Sequence, residues 1–156
     1  MKIITQIKAF ELDTGEDLLM FLKKKKIIFS PWVENILNKK KFNTKNFSPI
    51  ELVMVNLKKD LGINKAVYLK DIYKILRNKK LKLLQPEIAL YAATKIKIKK
   101  KGIWYRFATP LNSMIDSDGI PHLPKIGYAL NKYFVETYWA YPKAVFHPHN
   151  SFIVCK

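Results

Sequence analysis

The apolar residues of this chain change period along its length, and each change marks an element. Between 103 and 108, Ile103, Tyr105 and Phe107 alternate with Trp104, Arg106 and Ala108. In a strand these two sets point to opposite faces. Both are largely apolar, which predicts an interior strand covered on both sides, with Trp104 buried. Pro110 cannot donate to a ladder and predicts the strand's end. Arg106 then needs a route to solvent or a carboxylate, and Asp116 or Asp118, past the bend, is the predicted partner.

Upstream, the period is helical. Asp13 or Thr14 predicts a cap, Glu16 and Asp17 suit the positive first turn, and Leu18, Leu19 and Leu22 bury a stripe to about Lys25. Ser30-Pro31 opens a second helix, with Trp32, Val33, Ile36 and Leu37 on one face, running to about Lys40. Leu69, Ile72, Tyr73 and Leu76 follow the i, i+3, i+4, i+7 template over 69–78, and Pro86-Glu87 starts a further helix to about 93. The run 52–57 predicts a buried strand, Asp60-Leu61-Gly62 a loop, 95–99 a period-two, strand-like segment, and 152–154 a closing strand. The first twelve residues fit a strand or a first helical turn. Helices gather in the first two-thirds and strands in the last third. The prediction is a single α+β domain over 1–156, with N-terminal helices packed on a mostly antiparallel C-terminal sheet.

Composition narrows this further. No apolar run is long enough to span a membrane, no secretory leader is apparent, and the single cysteine, Cys155, excludes an internal disulfide and a Cys-based zinc site. A cytoplasmic protein is predicted, with no membrane partner and no cofactor; the oligomeric state stays open. The formal net charge is +17, which directs attention to nucleic acid or another polyanion. Yet only Arg77 and Arg106 among the 29 basic residues are arginine, and Lys, Ile and Asn together fill about a third of the chain. AT-rich codon usage gives the same bias, and arginine is the preferred fork for phosphate and bases. The charge is nevertheless concentrated. Residues 58–101 hold 14 Lys and Arg against Asp60, Asp71 and Glu87. The two helices there predict a helix-turn-helix, and Lys95, Lys97, Lys99, Lys100 and Lys101 beside Trp104, Tyr105 and Arg106 predict a single-strand binding surface.

Other chemistry is sparse. Asp116-Ser117-Asp118-Gly119 is turn chemistry, and with His122 it offers two carboxylates and an imidazole for a hard cation or acid-base work. The residues after Gly119 break the calcium-loop pattern, so no bound metal is assigned. His147-Pro148-His149 is a His-x-His pair that could join His122 on zinc, making Asp116, Asp118, His122, His147 and His149 the site of an alternative reading as a metal-dependent or hydrolytic enzyme. No phosphate loop, dinucleotide fingerprint or Gly-x-Ser-x-Gly occurs. A third reading takes the aromatic C-terminal face as a protein-interaction surface.

Phe29-Ser30-Pro31-Trp32, Asp60-Leu61-Gly62, Ile72-Tyr73, Pro86-Glu87, Ile115 to Gly119, and the ending from Trp139 through Phe152-Ile153-Val154 together resemble an uncharacterised family of small bacterial proteins. The chain departs from that pattern in carrying Lys where Arg and acidic residues are expected. The resemblance implies one folded unit and no activity.

Overall fold

In the computed structural model, residues 1–38, 40–44, 47–98 and 100–156 are described. The α+β class is observed: a large, mostly antiparallel sheet carries a few helices. No helix among the described residues is long and apolar enough to cross a membrane.

Seven strands form the main sheet. They are β1 (Ile3–Ile7), β2 (Ile27–Phe29), β3 (Ile50–Asn56), β5 (Trp104–Phe107), β6 (His122–Ala129), β7 (Lys132–Trp139) and β9 (Ser151–Cys155), in the order β1-β3-β9-β5-β6-β7-β2. β5 runs parallel to β9 and β2 parallel to β7; the other neighbours are antiparallel. Two short strands, β4 (Val67–Tyr68) and β8 (Val145–Phe146), pair separately. The sheet is therefore not confined to the C-terminal third, since β1, β2 and β3 supply both edges and one neighbour of β9.

Helices cover both faces because strand residues alternate between two cores. Leu52, Phe107, Ile126, Val135 and Ile153 face the first core, with α1 (Gly15–Lys24), α2 (Pro31–Leu37) and α5 (Pro86–Ala92) over them. Val53, Val55, Leu123, Phe152 and Val154 face the second, with α3 (Leu57–Leu61) and α4 (Leu69–Asn78). The α1 start follows from its sequence: the Thr14 hydroxyl accepts from the Asp17 amide, and the Asp17 carboxylate accepts from the Thr14 amide. α2 ends at Leu37, short of Lys40. Its C-terminus packs against Gly15, where a Cβ would lie 1.9 Å from the Leu37 carbonyl oxygen.

Three expectations are corrected. The helix-turn-helix is not formed: α4 buries Leu69, Ile72, Tyr73 and Leu76 in the second core, whereas α5 buries Ile88, Ala89, Leu90 and Ala92 in the first, across the sheet. The connector makes the crossing, with Leu81 in the second core and Leu84 in the first. Trp104 is half-buried. β5 is an interior strand, but Trp104 lies outside the second core, with its ring resting on Gly127, where a Cβ would meet it at 2.7 Å. Arg106 does not reach Asp116 or Asp118. Its guanidinium donates to the Trp104 carbonyl at 3.2 Å and lies over the rings of Tyr138 and Phe146 at 5.5 and 5.7 Å. It has no ion pair among the described residues: it lies on the second-core side with Tyr138 and Phe146, whereas Asp116 bonds His122, which stacks on Trp32 of α2 on the first-core side.

Candidate functional site

Two places bring the sequence-predicted residues together. The first is a basic cleft on the first-core side, beside β1. After α5 the chain runs through Lys95, Ile96, Lys97 and Ile98 with alternating exposure. The lysines are exposed, and the isoleucines are buried in the first core. The period-two pattern thus reports which side faces the core, while the described residues 95–98 form no strand. Lys95, Lys97 and Lys100 line an open cleft of about 450 Å³ with Lys2, Met54 and Tyr105. The floor is apolar, from Ile96, Ile98 and Met54, and no carboxylate among the described residues lines it. Lys2 was not signalled by its sequence context; pairing of β1 with β3 brings it there. Lys101 is exposed in the turn before Gly102 and is not part of the lining. Lys99 lies outside the described residues. Arg106 alternates with Tyr105 and points to the opposite face, so it does not belong to the cleft. There, burial pushes its guanidinium below the ordinary range, an effect partly offset by Tyr138.

The second place is the turn after β5. Asp116 Oδ1 accepts from the amides of Asp118 and Ile120, both at 2.9 Å, and Oδ2 lies 2.8 Å from His122 Nε2. His122 Nδ1 lies 2.9 Å from the Thr137 hydroxyl. With Nε2 donating to Asp116, Nδ1 is left to accept from that hydroxyl. Burial works against the Asp116 charge, but the bonds from His122, Ile120 and Asp118 outweigh it, leaving the carboxyl below its usual range. Asn35 of α2 fastens the same turn, accepting from the Ser117 amide at 2.9 Å and bonding its hydroxyl at 3.2 Å.

Carboxylate, imidazole and hydroxyl in series are the components of an activated nucleophile. Here, however, both imidazole nitrogens are satisfied internally, the ring is 1% exposed, and none of the clefts described is lined by His122 or Thr137. Instead, the relay supports aromatics. The His122 ring lies 5.5 Å from both Trp32 and Trp139, and Trp139 lies 6.4 Å from Tyr141. Trp32 was expected on the buried stripe of α2. It is 45% exposed, while Val33, Ile36 and Leu37 are buried.

The remaining predicted ligands do not join this cluster. Asp118 is exposed and contributes its amide, not its carboxylate. His147 and His149 are exposed, with rings parallel at 5.9 Å. No group of three His, Cys, Asp or Glu among the described residues could hold a metal ion, so the Asp116, Asp118, His122 and His147 or His149 site is not assembled.

Comparison with family models, with curated proteins and with solved structures finds no match for this chain.

Proposed function

We propose that this chain is a non-enzymatic binding module that takes single-stranded nucleic acid in the basic cleft of Lys2, Lys95, Lys97 and Lys100. The observation that carries this reading is the composition of the cleft: among the described residues, four lysines, an apolar floor and one aromatic line it, and no carboxylate does. Phosphates meet lysines as point charges, and a base can stack on an aromatic such as Tyr105. Two features favour a single strand over a duplex. The α4–α5 pair is divided by the sheet and offers no recognition helix for a major groove. A concave site of about 450 Å³ also suits a short stretch of single strand, one base seated and its neighbouring phosphates on the surrounding lysines, better than a duplex surface.

Fluorescence anisotropy with a labelled short oligonucleotide tests the reading. The single strand should bind more tightly than the duplex of the same sequence. Lys95→Glu, Lys97→Glu and Lys100→Glu together should weaken binding by more than about tenfold, or 1.4 kcal/mol. Reversing Lys70 and Lys74 on α4 and Lys79 at its C-terminal cap, all exposed, makes the same change in net charge on the other face. An equal loss from that control would reduce the effect to overall charge and refute the cleft.

A further inference from the structure

A second surface, separate from the basic cleft, is built from aromatic rings. Trp32, Trp139 and Tyr141 are 45%, 49% and 44% exposed. Each is nevertheless in ring contact: Trp32 and Trp139 flank the buried His122, and Trp139 touches Tyr141. His122 is fixed from beneath by Asp116 and Thr137, and Asn35 ties α2, which carries Trp32, to the same turn. Beside the ledge lies an open groove of about 400 Å³, lined by Ile120, Tyr138, Trp139, Tyr141, Lys143 and Val145. Half-exposed indoles in a row leave apolar area in water that a partner can cover. Tryptophan and tyrosine held in this way are the residues that anchor interfaces.

The chemistry of the groove selects its occupant. A second copy of the chain would bring together two molecules of formal net charge +17, which repel. A nucleic acid would find a single lysine, Lys143, among the described lining residues of the groove, too few to hold a run of phosphates. An extended peptide fits better. Aromatic-lined grooves take polyproline II segments, which arrive already ordered and lose little entropy on docking. At 3.1 Å per residue, about six residues cover the ring-to-ring path from Trp32 through His122 and Trp139 to Tyr141. Lys143 is the one charge in the lining and complements a carboxylate.

We propose that the Trp32–Trp139–Tyr141 ledge docks an extended, proline-containing segment of another protein, with an acidic residue set against Lys143. The probe is a fluorescein-labelled oligoproline peptide flanked by aspartates, read by anisotropy. It should bind, and Trp139→Ala and Tyr141→Ala should each weaken it more than tenfold, with the fold retained and oligonucleotide binding unchanged. Trp139→Phe should restore most of the affinity. Lys143→Glu should reverse the preference, so that a lysine-flanked oligoproline binds better than the aspartate-flanked one. The proposal fails if neither oligoproline binds, if binding survives Trp139→Ala, or if an aspartate-flanked Gly/Ala peptide binds equally well. Loss of oligonucleotide binding in Trp139→Ala would assign the ledge to nucleic acid and overturn the peptide reading.

Discussion

His122 Nε2 sits 2.8 Å from Asp116 Oδ2, with both side chains 1% exposed. The carboxylate also closes the 116–120 turn through two amides, so one charged group fixes both the turn and the ring beneath the two tryptophans. Because the folded Asp116 is held below its usual range, its contribution is present above the unfolded carboxylate pKa and is lost as pH falls through the folded value. Melting temperature should therefore decline on acidification below about pH 4. Asp116→Asn should flatten this decline, and an unchanged acid limb in that variant would contradict it. His122→Phe keeps a ring between the tryptophans but leaves the carboxylate without its partner, and should lower the melting temperature at neutral pH.

Tyr73 gives the opposite pH dependence. Its phenol donates to the Thr109 carbonyl at 2.6 Å, and burial raises its pKa. A raised folded pKa gives stability that is complete below the unfolded value of about 10 and is lost as pH rises beyond it. Alkaline unfolding should begin there. Tyr73→Phe should cost about 1 kcal/mol at neutral pH and blunt the alkaline loss, both readable from urea denaturation at two pH values.

Gly15 and Gly62 separate two reasons for glycine. At Gly15 a Cβ would meet the Leu37 backbone at 1.9 Å, so Gly15→Ala must push α1 from α2 and should cost about 1–3 kcal/mol. Gly62 caps α3 at φ +72° with nothing within 4 Å, so Gly62→Ala meets only backbone strain, about 1 kcal/mol. Denaturation midpoints should rank the two in that order.

Much of the fold was readable where period and punctuation agreed. The capping pattern at Thr14, the Ser30-Pro31 start and the stripe of Leu69, Ile72, Tyr73 and Leu76 all mark observed helices. α3 was read as the end of a strand and a loop, because five residues are too few to show a period. Its signals are local: Asn56 capping the Lys59 amide, and Gly62 in the left-handed region. Which side of the sheet a helix occupies is not written in its own stripe, and so α4 and α5 read as neighbours. Exposure of aromatics was equally hidden. Trp32 and Val33 are adjacent and both apolar, yet one is exposed and the other buried, since their directions diverge around α2. Asp116 and His122 are close enough in sequence to be grouped, but spacing points their carboxylate to a cation or to Arg106 and does not show the direct bond, and the joining of Lys2 to Lys95 depends on long-range strand pairing.

Trp104 and Phe107 test the two-sided reading of β5. Phe107 is fully buried in the first core, and Phe107→Ala should cost about 3–5 kcal/mol. Trp104 is half-buried, with its ring on Gly127 and the Lys125 ammonium 4.7 Å from its centre. Trp104→Ala should therefore cost roughly half as much, about 2 kcal/mol. Equal losses in chemical denaturation would show that Trp104 belongs to a core after all.

The salt dependence of single-strand binding tests the central claim most directly. Four lysines on phosphates release counterions in proportion, so log K against log salt should have a slope of about −3. Replacing Lys95, Lys97 and Lys100 with Gln should leave a slope of about −1, since Lys2 alone remains among the described lysines of the lining. A slope unchanged by the triple replacement would mean that the phosphates lie elsewhere and would contradict the assignment of the cleft.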